Sequence, residues 1–527
     1  MNLIAILKTP KKFILLFLFV AQINTAQNYD PNFFPIGVWS VKGDFRSVDD
    51  FLFNLHTAGQ YHQTSFHNLK SQGFNSVFLS YDPIGPTLDT ILKIAESYDM
   101  KVISSMQHLY EVVSQSNYQT VTDTDIIQAI EADSINRLKA SSAVLGYYLY
   151  DEPLPGWIDF NVLQNARNIL TQMTSDAPHP ILSCWNDEQH MDTLNGYLNL
   201  DVLMMDTYPF EDGDAYGDIS DYMPSYFYDG PGSDPMPYSD YINLVRQNHC
   251  DATNKPLWVV LQAFGDLETP DNGGYWRQVY PKEIRLEVYL AIMNGAKGIW
   301  YFLYESEYPY LLGLLDVSGQ PTQRLTEVTA VNYELQALSN TLLKLKVYDN
   351  QTAISTSEGK AVLHYDNASN QHYKYVIAVN TDVNNISTPA ISINKNDIGY
   401  QVSSVINMLN NQTVPYTETA NQIIITPTID VGNGLVLKLS DQTADIENTH
   451  LANQIEIFPN PTTNFIHINS GTLTILAYSL YDFSGKKIME NKTNVNNLID
   501  MRALSKGIYY IKIQTKTGDK TLKVIKE

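Results

Sequence analysis

Residues 144–153 read VLGYYLYDEP, an apolar and aromatic run that ends on two adjacent carboxylates, Asp151 and Glu152, closed by Pro153. Proline cannot donate to a strand ladder, so the run reads as a strand that stops at its acids. A carboxylate at such a strand end, with aromatic neighbours to exclude water, can have its proton affinity raised enough to keep a proton near neutral pH. The chemistry open to such a group is general acid catalysis. Strict alternation along the strand places Tyr148, Tyr150 and Glu152 on one side and Asp151 on the other, so a regular strand aims a single carboxylate at the site. Similar runs end on Asp206 (MMDTYP) and Glu305 (YFLYES), and another ends on Gln262 (PLWVVLQAFG), with Asp266 and Glu268 just beyond.

These acids need a scaffold that brings strand ends together. Between Phe33 and about Leu343, short β-rich runs alternate with segments whose apolar residues recur every three or four positions. The runs occupy 33–40, 74–82, 101–107, 144–153, 179–187, 201–209, 256–265 and 298–306. Segments such as 87–100 and 281–298 show the amphipathic-helix pattern. Eight such units over about 300 residues predict a (β/α)8 TIM barrel across residues 28–346, whose active site lies at the carboxyl ends of the strands. A doubly wound open sheet is the competing architecture, but no glycine-rich phosphate turn follows the first strand.

Beyond the barrel the period changes to that of strands and turns. Residues 347–440 read as a small all-β sandwich, an accessory domain braced on the barrel, and 441–454 as a polar linker. Residues 455–527 form a second β-rich unit. At the other end, residues 1–27 place Lys8, Lys11 and Lys12 before the apolar run Phe13–Ala21, the pattern of a signal peptide, and the run is too short to span a bilayer. The mature chain is therefore expected outside the cytoplasm without a transmembrane segment. Its only cysteines, Cys184 and Cys250, are expected to be unpaired and buried.

The chain of 527 residues carries a formal charge of −23. Such a body repels phosphate backbones, which excludes nucleic acid as a natural partner. No HExxH or His/Cys spacing points to catalytic zinc, no GxSxG elbow points to a serine hydrolase, and His108 and His190 read as rim or surface residues. Neither a metal nor an organic cofactor is expected. The acidic, aromatic loop 209–241 lacks calcium-loop spacing and reads as a solvated lid or cleft wall.

Two resemblances add to this reading. Residues 455–527, with FPNP at 458–461, the YDFSGKKI hairpin, the LSKGIYYIKI strand and a basic close, resemble the C-terminal sorting domain of the type IX secretion system of Bacteroidetes. That resemblance implies export through the periplasm, contact with the secretion machinery, and secretion or attachment at the cell surface. The Asp-Glu-Pro triplet at the fourth strand end resembles the Asn-Glu-Pro of clan A glycoside hydrolases, which implies that Glu152 is the acid/base. The clan's nucleophilic Glu falls at the end of strand 7, where this chain has Gln262, an amide that cannot attack. A second carboxylate is therefore sought in Glu305 or Asp206.

Aromatic faces cover the C–H faces of sugars, so Trp39, Trp185, Tyr208 and Tyr304 join Asp151, Asn186 and Gln262 as expected substrate contacts. Trp185, beside Asn186 and Asp187, is expected to be a ligand platform, Tyr81 stands at another strand end, and Trp300, early in its strand, is expected to fill the barrel. The expected activity is hydrolysis of a poly- or oligosaccharide by carboxylate acid/base catalysis. The alternative, motivated by Gln262, is a catalytically inactive barrel that binds carbohydrate at the cell surface.

Overall fold

The computed structural model describes residues 28–40, 66–79, 85–154, 156–186, 198–211, 236–266, 276–306, 311–350, 352–366, 373–441, 455–458, 460–469, 475–482, 486–491, 498–515 and 518–526. The expected signal peptide, Tyr81, Asp187, His190, Glu268, nearly all of the linker and most of the acidic loop lie outside the described residues.

Eight strands close into a parallel barrel in chain order: β1 (Ile36–Ser40), β2 (Ser76–Leu79), β3 (Lys101–Ser104), β4 (Val144–Asp151), β5 (Ile181–Trp185), β6 (Leu203–Asp206), β7 (Leu257–Gln262) and β8 (Gly298–Phe302). β8 returns to β1 through Ile36 opposite Ile299 and Val38 opposite Tyr301, so no sheet edge is left open. Each expected run contains one of these strands. Their alternation sorts residues cleanly between two cores. Ile36, Val38, Met205, Val259, Ile299 and Tyr301 pack outward against the helices, whereas Trp39, Phe78, Tyr148, Met204, Trp258 and Trp300 fill the interior.

That interior is unusually aromatic. Trp39 stacks on Phe78 with ring centroids 4.5 Å apart and meets Trp300 edge-on at 5.7 Å, and Trp300 lies 6.0 Å from Trp258. Indoles of this size fit only where the neighbouring strand yields space, and glycine yields it. A Cβ on Gly37 would sit 2.2 Å from the Trp300 ring, and one on Gly298 would sit 2.7 Å from Trp258. The result is a filled, water-poor floor beneath the strand ends.

The helix Pro281–Met293 departs from the amphipathic expectation: ten of its neighbouring side chains, from Ile284 to Met293, are buried on every side along with Glu283. The cause is a third layer. Beyond the barrel, a five-stranded antiparallel sheet places Tyr375, Ile377, Val379 and Val436 in the same core as this helix. A helix covered on both faces has no solvent side to mark with polar residues. Arg285 pins the contact, donating from Nη1 to Glu334 at 2.8 Å and to Asn433 at 3.0 Å, and pairing with Glu327. The other face of that sheet shares a core with a four-stranded antiparallel sheet, through Val376, Ala378, Leu437, Ile391, Ile423 and Ile425. The C-terminal residues form a three-stranded and a four-stranded sheet around a separate core that includes Ile466, Leu480, Ile499 and Ile511.

If the aromatic floor depends on the missing side chain opposite Trp300, Gly37→Ala will destabilise the barrel by about 1–3 kcal/mol or more. Thermal unfolding should show a lowered midpoint; an unchanged midpoint would contradict the close packing.

Candidate active site

The acids at the end of β4 owe their placement to a break in strand regularity. Against β5, Tyr148 pairs with Leu182 while Tyr150 pairs with Ser183, so β4 carries an extra residue at a bulge. The bulge overturns the alternation expected from the sequence. Tyr148 stays in the barrel interior, Tyr150 turns outward to stack on Tyr110 at 4.7 Å, and Asp151 returns to the side of Tyr148. The Tyr148 hydroxyl donates to Asp151 Oδ1 at 2.5 Å and accepts from the Cys184 N–H at 3.2 Å.

Glu152 then adopts a left-handed backbone, φ 39°, while its N–H still donates to the Cys184 carbonyl at 3.1 Å. A bulky residue in that region costs about 1–3 kcal/mol and persists only where the surroundings enforce it. The turn brings the Glu152 side chain into hydrogen bonds with Asp206, at the end of β6, and with Asn186, just past β5. Both adjacent carboxylates therefore face the mouth, contrary to the single one expected. Capping of the following helix is not the work of Glu152: Asp159 caps the helix Phe160–Met173, accepting from the Asn161 N–H at 2.8 Å.

Three carboxyls from two strand ends thus share a space where charge is poorly solvated. Burial pushes Asp206 well above the usual carboxylate range, and the charges of Glu152 and Asp151 push it further. Burial likewise raises Glu152, with Asp151 adding to the shift and the hydrogen bonds to Asp206 and Asn186 opposing it. Asp151 is raised by its deep position and held back by the Tyr148 hydrogen bond. Asp151 and Glu152 keep open surface despite that depth, as side chains on the floor of a concave mouth do, so water tempers their shifts more than that of Asp206, which is 8% exposed. Cys184 is free and buried, and burial together with the Asp206, Asp151 and Glu152 charges raises its thiol well above normal; it serves as a neutral hydrogen-bond partner of Asp206.

Tyr208 stands beside this cluster, edge-on to Phe264 at 4.9 Å and to Trp276 at 5.9 Å, and its hydroxyl feels the charges of Asp206, Glu152 and Asp151. Trp39 is 7% exposed and belongs mainly to the floor. Trp300 is fully buried there, as expected.

Four other expected residues stand elsewhere. Gln262 is not a sugar contact: its amide is fully buried and spent on the chain after β6, accepting from the Phe210 N–H at 2.9 Å and donating to the Phe210 carbonyl at 3.0 Å. Trp185 is 3% exposed and packs outward into the helical shell, because alternation from inward-facing Cys184 turns it away from the mouth. Tyr304 also lies in the outer core, donating to Gln72 Oε1 at 2.9 Å with its ring edge-on to Phe74 at 6.2 Å. Glu305 lies three residues past β8 and is 8% exposed, so it presents little surface to the mouth. Sequence reasoning missed the Tyr148 and Cys184 contacts, since neither can be seen until the bulge is known. Among the described residues, no group of three or more His, Cys, Asp or Glu is arranged to hold a metal ion.

A carboxyl raised by folding binds a proton that the unfolded chain releases. The stability it contributes is full below the ordinary values, 3.8 for Asp and 4.5 for Glu, and is lost as pH rises towards the folded value. Asp206→Asn removes one such group, so the fall in melting temperature between about pH 5 and pH 8 should flatten relative to the parent protein. Parallel curves for the two proteins would contradict the shared-proton cluster.

Residues 456–527 match the family described as the secretion system C-terminal sorting domain, so the chain ends in a type IX sorting tail, which marks it for secretion or the cell surface. No described helix is long and apolar enough to cross a membrane. No curated protein matches the chain in sequence. Among solved structures, a glycoside hydrolase family 5 protein from Bacteroides vulgatus is similar with a TM-score of 0.52 at 12% identity, over 78% of this chain and 90% of that one. A second, described as a glycoside hydrolase, gives a TM-score of 0.49 at 12% identity, over 78% and 94% of the two chains. The first likeness shows that the chain shares the barrel fold of such an enzyme.

Proposed function

We propose that the protein is an exported glycoside hydrolase acting on a poly- or oligosaccharide, with Glu152 as the general acid. The observation that carries this reading is the contact of Glu152 with Asp206 and its proximity to Asp151 at the carboxyl end of a closed barrel. Three carboxyls so close cannot all ionise, so the cluster retains a proton where an incoming glycosidic oxygen would receive it. The neighbouring aromatic side chains keep water scarce around that proton and offer apolar faces to a sugar.

Between the two second carboxylates named from the sequence, the reading favours Asp206. It hydrogen-bonds Glu152, and its own strongly raised proton affinity lets the two carboxyls share the retained proton until substrate arrives. Hydrogen-bonded to the acid, Asp206 acts here on Glu152 rather than on the anomeric carbon. Export through the periplasm under the sorting tail would bring the barrel to glycans outside the cell.

Protonated Glu152 is the active form, so activity should decline as pH rises through its elevated pKa. Glu152→Gln should lower release of reducing ends from a responsive polysaccharide by about 10²- to 10⁴-fold while binding persists. A panel of polysaccharides assayed for product release supplies the measurement. Undiminished turnover by the variant would refute the assignment, and binding with no release by the parent protein would favour an inactive carbohydrate-binding barrel.

A further inference from the structure

The Glu152 acid requires a nucleophile on the far face of the sugar, and the carboxyls beside it are badly placed to be one. Asp206 is in hydrogen-bond contact with the acid, and Asp151 is its immediate chain neighbour on the same side of the mouth. At the end of β7, both amide atoms of Gln262 are engaged by Phe210. What the mouth does offer is a carboxylate fixed in an unusual way. Tyr148, itself held by the Cys184 N–H, anchors Asp151 by Oδ1 alone, and Asp151 remains exposed with Oδ2 turned to no protein donor among the described residues. An ionised carboxylate is acceptor-only, so this oxygen selects a substrate group that donates a hydrogen bond or gains positive charge.

Resting on the reading of Glu152 as acid, we propose that the substrate is a β-linked 2-acetamido sugar whose own acetamido group supplies the nucleophile, with Asp151 as the catalytic residue that receives its N–H. The Glu152 carboxyl gives its proton to the glycosidic oxygen, and the C1–O bond breaks with its electron pair leaving on the departing alcohol. The acetamido carbonyl oxygen forms the new bond to C1 from the opposite face, which requires the acetamido and leaving groups to be trans. The resulting oxazolinium ring carries positive charge on its nitrogen, and the N–H faces Asp151 Oδ2. Water then attacks C1 and gives its proton to the Glu152 carboxylate, the ring opens, and both the acid and the acetamido group are regenerated. No external co-reactant other than water is consumed.

The bulge and the left-handed Glu152 acquire a purpose on this account. A regular strand would point adjacent acids to opposite sides, whereas this chemistry needs the acid and the amide-holding carboxylate together. Tyr148 is a positioning residue. It keeps Asp151 ionised and oriented, among the other groups that face it: Glu152 just past the same strand, Cys184 on β5, and Asp206 and Tyr208 at the end of β6.

The test uses the mature full chain with 4-nitrophenyl 2-acetamido-2-deoxy-β-glucoside and -galactoside, chitooligosaccharides, and the matching 4-nitrophenyl β-glucoside and β-galactoside. Release is expected from at least one acetamido substrate and at least 100-fold less from its 2-hydroxy counterpart. The trifluoroacetamido analogue, whose carbonyl is a poor nucleophile, should react at least 100-fold more slowly, and a 2-acetamido-derived thiazoline should raise the melting temperature. Asp151→Asn should lose about 100-fold in kcat. Tyr148→Phe should move the acidic limb of the pH profile upward. Glu152-dependent cleavage of the 2-hydroxy substrates at comparable rates, or a 2-fluoroglycosyl adduct on a carboxylate, would overturn the inference while leaving the hydrolase reading intact. Thiazoline that neither binds nor inhibits, with no acetamido substrate cleaved, would also overturn it.

Discussion

The structure turns on one electrostatic constraint: three carboxyls held together on a floor of aromatic rings cannot all be charged. Asp206 is buried, Glu152 hydrogen-bonds it, and Asp151 stands next along the chain. In water such a group would separate or ionise freely. Here the strands fix it, and the poorly solvating floor makes one proton the cheapest way to relieve the repulsion. That retained proton makes glycosidic bond cleavage the natural reading of the site, and it asks a cost in stability that the surrounding packing must offset.

Much of the remaining architecture can be understood as support for that cluster. The interior indoles and the glycines opposite them remove space that water would otherwise occupy. Gln262 ties the chain after β6 to β7, which fixes the end of β6 and with it Asp206. The helix Pro281–Met293 reaches the same region from outside, since Glu287 accepts from the Gln262 N–H at 3.1 Å. This helix packs between barrel and sheet, so the β-rich unit is joined through it to the end of β7. The sorting tail, with its own core, contributes address rather than chemistry.

The fold was readable because it depends on periodicity. Eight strand-like runs alternating with helical segments are a pattern spread over hundreds of residues, and each run proved to hold a barrel strand. The site was only half readable, because it depends on a departure from periodicity. Glu152 and Asp206 could be named from their places at strand ends. Asp151 was assigned to the wrong side, since a single extra residue in β4 reverses the facing of everything after it. Trp185 and Tyr304 were misplaced because an aromatic at a strand end can face either the mouth or the shell. Gln262 read as an absent nucleophile, and its structural role emerged only when the chain after β6 was seen folded against it.

The most direct measurement is an infrared pH titration of the carboxyl C=O stretch, taken as the difference between the parent protein and Glu152→Gln. A band assigned to protonated Glu152 should persist above the ordinary glutamate value of 4.5. If the carboxyl lost in the variant instead ionises in the ordinary glutamate range, no proton is stored at the mouth, and the account of the site fails.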